Sequence, residues 1–130
     1  MFGEGILVRP SSETRWQVEE ESTKYIIELL ESMGYEILEV YLHKPNPYDI
    51  KAKAPDGSVK YIEVKGHKPL VFTASLDDIQ TRFGEEHPED YIVCVVANMA
   101  KPREQWRYIC KPYKDWRKEL IHTYKALLKP

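Results

Sequence analysis

A chain of 130 residues, 42% hydrophobic and 31% charged, can bury one core but not two, and its composition excludes a disordered polypeptide. No apolar run nears the roughly 20 residues of a membrane helix. The start, "MFGEGILVRPSSETRW", lacks the basic head, long apolar stretch and small-residue cleavage site of a secretory signal, so a cytoplasmic chain without a membrane partner is expected. The formal net charge is −2, yet residues 101–130 hold nine Lys/Arg and three acids, a local +6 against −8 for residues 1–100. Such a division suits an acidic body that holds a metal and a basic tail that meets phosphates. Taken alone, a solvated helix face is the plainer account of the tail.

In chain order, "SSETRWQVEEESTKYIIELLESMGY" opens on capping residues, carries an apolar stripe at 26, 29, 30 and 33, and closes on glycine, which predicts a helix over 12–33. "YEILEVYL" (35–42) predicts a strand, and 48–54 with 58–65 the arms of a hairpin. "KPLVFTA" is a short extended piece, and "SLDDIQTRFGEE" opens on a helix cap. The unbroken apolar run "YIVCVVA" (91–97) predicts a strand covered on both faces. "QWRYIC" reads as an edge strand. "KDWRKELIHTYKALL" (114–128) reads as an amphipathic helix with Trp116, Leu120, Ile121, Tyr124 and Leu127 or Leu128 inward. Cys94 and Cys110 sit in unlike contexts, and buried free thiols are expected rather than a disulfide. The order predicts one α/β domain, 1–130, with a mixed sheet between helices, a core over about 12–113 and a basic C-terminal helix.

The hairpin "PYDIKAKAPDGSVKYIEVKG" (47–66) carries the chemistry. Pro55 before Asp56-Gly57 suits a type I turn with Gly57 left-handed, which makes a three-residue bulged turn. Ile50 then faces Ile62, Ala52 faces Lys60, and Asp49 faces Glu63. Alternation puts Ile50, Ala52, Ala54, Ile62 and Val64 on one face and Asp49, Glu63 and Lys65 on the other. Like charges opposite one another destabilise a strand pair. A divalent cation shared by the two carboxylates would offset this, with Lys65 placed to steady charge developing on a phosphate. Simple neutralisation by Lys65 on a solvated face is the plainer account.

An aspartate followed across a hairpin by "IEVKG", after a glutamate-bearing helix, resembles the PD-(D/E)XK nuclease superfamily, with Tyr48 between Pro47 and Asp49. The hairpin with "VFTAS" and "YIVCVVAN" is similar to a nuclease-like domain at the C-terminus of NO VEIN-type and some helicase-like proteins, over roughly residues 18 to 113. Archaeal Holliday junction resolvases share its core more distantly. The resemblance implies a restriction-endonuclease-like αβββαβ fold and a nuclease that uses Mg²⁺ or Mn²⁺. Asp49 and Glu63 would be metal ligands, the Val64 carbonyl an added one, and Lys65 the catalytic lysine. A further glutamate would come from Glu19, Glu20 or Glu21: Glu20 by its place in the family pattern, with Glu19 seven residues before Ile26 and near the buried stripe. Gln80 resembles the extra glutamine of some members, although a polar surface residue explains it too. "FTASLDD" departs from the family's "LT.NE".

Implied partners are nucleic acid, DNA ahead of RNA, a second copy as homodimer, and a helicase or other repair or defence protein. His67 and Lys68, beyond the lysine, and Arg117 and Lys118, in the basic tail, are candidate phosphate contacts. Trp16, Trp106 and Trp116 suit either base stacking or a core. The four histidines lack zinc-ligand spacing. An alternative from another class is a catalytically weak or inactive nuclease-like module that binds nucleic acid or a partner protein.

Overall fold

The structure, a computed structural model, describes residues 12–43, 45–122 and 125–130, and the side chains of all of these except 12, 13, 120–122 and 125. Helix α1 (Ser12–Ser32) is followed by β1 (Glu36–Val40), β2 (Ile50–Lys53), β3 (Val59–Gly66), β4 (Ala74–Leu76), α2 (Asp78–Glu86), β5 (Tyr91–Ala97), β6 (Arg107–Pro112), β7 (Arg117–His122) and β8 (Lys125–Lys129). A five-stranded sheet runs β1-β2-β3-β5-β6, and a three-stranded sheet runs β4-β8-β7. Among the described residues, the β3–β5 pair of the large sheet is parallel and its other pairs are antiparallel, because the chain between β3 and β5 crosses over through β4 and α2. No helix among the described residues is long and apolar enough to cross a membrane.

The large sheet is buried on both faces. On one, Ile26 and Leu30 of α1 pack on Ile50, Ala52, Ile62, Val64, Cys94 and Val96. On the other, Tyr91, Val93 and Val95 meet Ala74 and Leu76 of β4, Ala126 and Leu128 of β8, and Tyr113 and Trp116. Alternate residues of β5 thus serve two cores, as its unbroken apolar run requires.

The hairpin takes the bulged register. Ile50 pairs with Ile62 and Ala52 with Lys60. The Ala54 amide donates to the Ser58 carbonyl, the Gly57 amide donates to the Ala54 carbonyl, and Gly57 has φ +90°. Asp56 Oδ1 accepts from the amide and hydroxyl of Ser58, which locks the turn.

Two expectations fail. The segment 114–128 is not a helix: after a single helical turn at Tyr113–Asp115 come β7 and β8, an antiparallel pair. Its Lys, Glu, Leu and Ala favour helix locally, but β4 offers a free edge to which β8 pairs, Ala74 to Leu128 and Leu76 to Ala126. Tertiary pairing outweighs the modest intrinsic preference. Trp116 and Leu128 are buried as expected; Tyr124 and the side chains of Leu120 and Ile121 lie outside the described residues. The cysteines are not free either. Cys94 and Cys110 face each other across β5 and β6, Cα–Cα 4.1 Å, and form a disulfide. Their separation of 16 residues gives no hint of that pairing before the strand register is known.

Gly66, the last residue of β3, lets α1 lie close. A Cβ there would stand 2.9 Å from both Ser22 Oγ and Val18 Cγ1 and 3.0 Å from Met99 Sδ. Gly66→Ala is expected to cost about 1–3 kcal/mol by overpacking this contact. Chemical denaturation checks it: a midpoint equal to that of the parent protein would show that the helix yields freely.

Candidate active site

The hairpin face opposite the α1 core carries the polar cluster. Asp49, just before β2, is held by its backbone: its amide donates to the Ile62 carbonyl (2.9 Å), and its carbonyl accepts from the Tyr41 amide (2.7 Å). The buried Tyr91 hydroxyl donates to the Pro47 carbonyl (2.6 Å), and Tyr48 packs among Tyr41, Tyr61 and Phe83. The tyrosine between proline and aspartate is therefore an anchor for the turn that presents Asp49.

Asp49 and Glu63 are both buried, 9% and 4% exposed. Asp49 Oδ2 accepts from the Val64 amide (2.8 Å). Glu63 Oε2 takes the Lys65 ammonium at 3.2 Å and the Gln80 Nε2 donor at 2.9 Å. Glu63 Oε1 is buried with no hydrogen-bond partner. Burial, only partly offset by the Val64 amide and Lys65, lifts the Asp49 carboxyl to about 6. Burial first, and then the neighbouring Asp49, push Glu63 well above the usual carboxylate range. Two desolvated carboxylates side by side, one with an idle oxygen, are a donor set that a hard divalent cation fits. Among the described residues no three His, Cys, Asp or Glu side chains converge, so the side-chain ligands there would number two.

Gln80 is not a surface residue. It lies 8% exposed at the third position of α2. Its Oε1 accepts from the Asp77 amide (3.1 Å) and faces the Lys65 ammonium (3.4 Å), while Asp77 Oδ1 accepts from the Gln80 amide (2.8 Å). This is a capping box whose glutamine spends its spare Nε2 hydrogens on Glu63. "DDIQ" carries the signal: the third residue after a capping aspartate turns its side chain back toward the helix N-terminus.

A cleft of about 620 Å³ opens over these groups. Asp49, Glu63, Lys65, Gln80, His67 and Lys68 line it, with Glu19 on the α1 side. Glu19 stands close enough to Asp49 to help raise its carboxyl. Glu20 is not in the lining; it is 48% exposed and approaches His43 Nε2 at 3.9 Å. Val64 lines the cleft beside its strand neighbours. His67 Nε2 sits 2.6 Å from the Thr73 carbonyl. Arg117 and Lys118 are not brought to the cleft. On β7, Arg117 Nε donates to the Pro130 carbonyl (3.3 Å), and the Lys118 ammonium lies over the Tyr113 ring and donates to the Trp116 carbonyl (2.8 Å).

The model of the family described as "Protein NO VEIN, C-terminal" matches residues 18–109. Among solved structures, the Holliday junction resolvase Hjc of the archaeal hyperthermophile Archaeoglobus fulgidus aligns over 85% of this chain and 86% of its own, at 20% identity and a TM-score of 0.50. That likeness is one of fold, and with the topology above it makes the fold restriction-endonuclease-like. None of the curated proteins matches the chain.

Proposed function

The chain belongs to the NO VEIN C-terminal family, and from that premise we propose that it is a divalent-cation-dependent nuclease that hydrolyses phosphodiester bonds, with DNA ahead of RNA as substrate. The observation that carries this reading is the buried Asp49–Glu63 pair with Lys65 on the cleft floor and an unpartnered Glu63 Oε1. DNA is preferred because the fold neighbour is named for a DNA junction.

Asp49 and Glu63 would hold Mg²⁺ or Mn²⁺, with the Val64 carbonyl as a third protein oxygen. When bound, the cation supplies Lewis-acid polarisation of a phosphate oxygen. The rest is the work of the chain. The Lys65 ammonium, fixed between Glu63 Oε2 and Gln80 Oε1, faces the cleft and steadies the extra negative charge as water adds to phosphorus. In that step a water oxygen bonds to phosphorus, the P–O ester bond breaks, and the departing oxygen gains a proton. Gln80 keeps Glu63 turned toward Lys65. Glu19, rather than Glu20, is the first-helix glutamate of the site, acting through water.

Millimolar Mn²⁺ is expected to raise the melting temperature of wild type, since a cation at a hundredfold excess over its Kd adds about 2.7 kcal/mol to the folded state. Mn²⁺ or Mg²⁺ should also support cleavage of DNA oligonucleotides. Asp49→Asn should lose both responses. A wild type that cuts no single-stranded, duplex or branched substrate with either metal would overturn the reading.

A further inference from the structure

We propose that Trp16 and His43 form a stacking platform for an unpaired nucleobase, so that the strand entering the cleft carries unpaired bases rather than continuous duplex; the proposal rests on the nuclease reading above. The two rings lie nearly parallel, centroids 4.0 Å apart and planes 15° apart. Trp16 is nevertheless 57% exposed, whereas Trp116 is 2% exposed in the core. His43 covers one indole face, and more than half of the residue stays in solvent. An indole left in water this way contributes little to folding, so its placement asks for another account.

That placement is beside the cleft, which neither Trp16 nor His43 itself lines. Trp16 follows the cleft-lining Thr14 and Arg15 on α1 and precedes Val18 and Glu19, which line it too. His43 is tied to the same wall, its Nδ1 3.3 Å from Glu19 Oε1. It is held there at some conformational cost: its φ is +59°, a left-handed backbone that non-glycine residues rarely adopt. Its Nε2 is buried and makes no hydrogen bond, with the Glu20 carboxylate 3.9 Å away. These costs bring an imidazole flat beneath an exposed indole.

A flat aromatic face beside a phosphate-reading site suits a nucleobase. Every base has a π-face, and stacking on an aromatic side chain is open only where the base is unpaired or splayed out. Arg15 and Lys68 line the same cleft and supply positive charge for the backbone of that strand. A base on Trp16 would hold its strand against the α1 wall of the cleft, where His43 meets Glu19.

The test is fluorescence anisotropy of labelled oligonucleotides with the full chain at one fixed salt concentration, on the Asp49→Asn background so that nothing is cut. A forked duplex with single-stranded arms is compared with a blunt duplex of the same paired sequence. Trp16→Ala is expected to weaken fork binding by roughly tenfold and duplex binding by less than about twofold, and Trp16→Phe to retain most of the fork affinity. Equal losses on fork and duplex, or no loss on the fork, would overturn the platform and leave the nuclease reading standing. If the Asp49→Asn parent binds neither substrate while wild type with Mn²⁺ cuts the fork, the platform alone falls; if wild type cuts neither substrate and the parent binds neither, the nuclease reading falls and the platform with it.

Discussion

Replacing Lys65 with alanine is expected to slow phosphodiester cleavage by about 10²–10³-fold, the usual cost of removing one preorganised charge from a transition state, while the Mn²⁺-dependent rise in melting temperature persists. The separation follows from the geometry. Lys65 touches Glu63 Oε2, not the unpartnered Oε1, and its ammonium sits at the cleft surface with 27% of the side chain exposed. Its removal leaves Asp49, Glu63 and the Gln80 hydrogen bond in place. Lys65→Arg keeps the charge but not its position, because a planar guanidinium cannot occupy the compact site between Glu63 and Gln80, and it should recover only part of the rate. Single-turnover cleavage with thermal melts in the presence and absence of Mn²⁺ distinguishes the roles. A rate within a few-fold of wild type would reduce Lys65 to a counter-ion for Glu63.

How much of this site the sequence made legible depended on whether the deciding contact was local. The hairpin register was, because Ile50, Ala52, Ala54, Ile62 and Val64 share a face only if the turn at Pro55-Asp56-Gly57 is bulged, and all five are buried. Two independent local constraints, turn chemistry and alternation, agreed. The place of Glu19 was less legible. The face of α1 that meets the sheet includes Ser22 and Thr23, both fully buried, and small polar residues leave a gap in a stripe read by hydropathy. Counting Val18, Ser22 and Ile26 at four-residue steps turns Glu19 toward the cleft and Glu20 one step away.

The C-terminal β7–β8 pair and the Cys94–Cys110 disulfide were not legible for a different reason. Both depend on partners supplied by distant chain: the β4 edge for β8, and the β5–β6 register for the cysteines. The basic tail then changes meaning. Its charges are spread over β6, β7, β8 and the turns before and between them rather than along one helical stripe, and Lys118, though exposed, lies over the Tyr113 ring, where partial desolvation lowers its ammonium's affinity for a proton. The positive charge that lines the cleft comes instead from Arg15, Lys65 and Lys68, residues of the acidic part of the chain.

Glu63→Gln should abolish cleavage and cation binding yet make the metal-free protein more stable at neutral pH. The folded state holds Asp49's carboxyl at about 6, against an ordinary 3.8, and raises Glu63 well above its ordinary 4.5. A carboxyl whose folded-state pKa is raised stabilises the fold fully below its unfolded pKa, and that contribution is lost as pH rises through the folded value. Metal-free wild type should therefore lose stability from about pH 4 to above pH 6, by about 3 kcal/mol for Asp49 taken alone. A glutamine in place of Glu63 keeps an oxygen for Gln80 Nε2, offers an amide donor where Oε1 had no partner, and removes one of two like charges in a dry site. The melting temperature of Glu63→Gln without metal should exceed that of wild type by roughly 5 °C at pH 8, with the gap closing toward pH 4 as the wild-type carboxyls take up protons. Added Mn²⁺ should close the gap from the other side at pH 8, by stabilising wild type alone. Melts at several pH values in chelator and in Mn²⁺ decide it. A Glu63→Gln protein less stable than wild type in chelator at pH 8 would mean that the Lys65 ion pair, not cation binding, accounts for the buried glutamate.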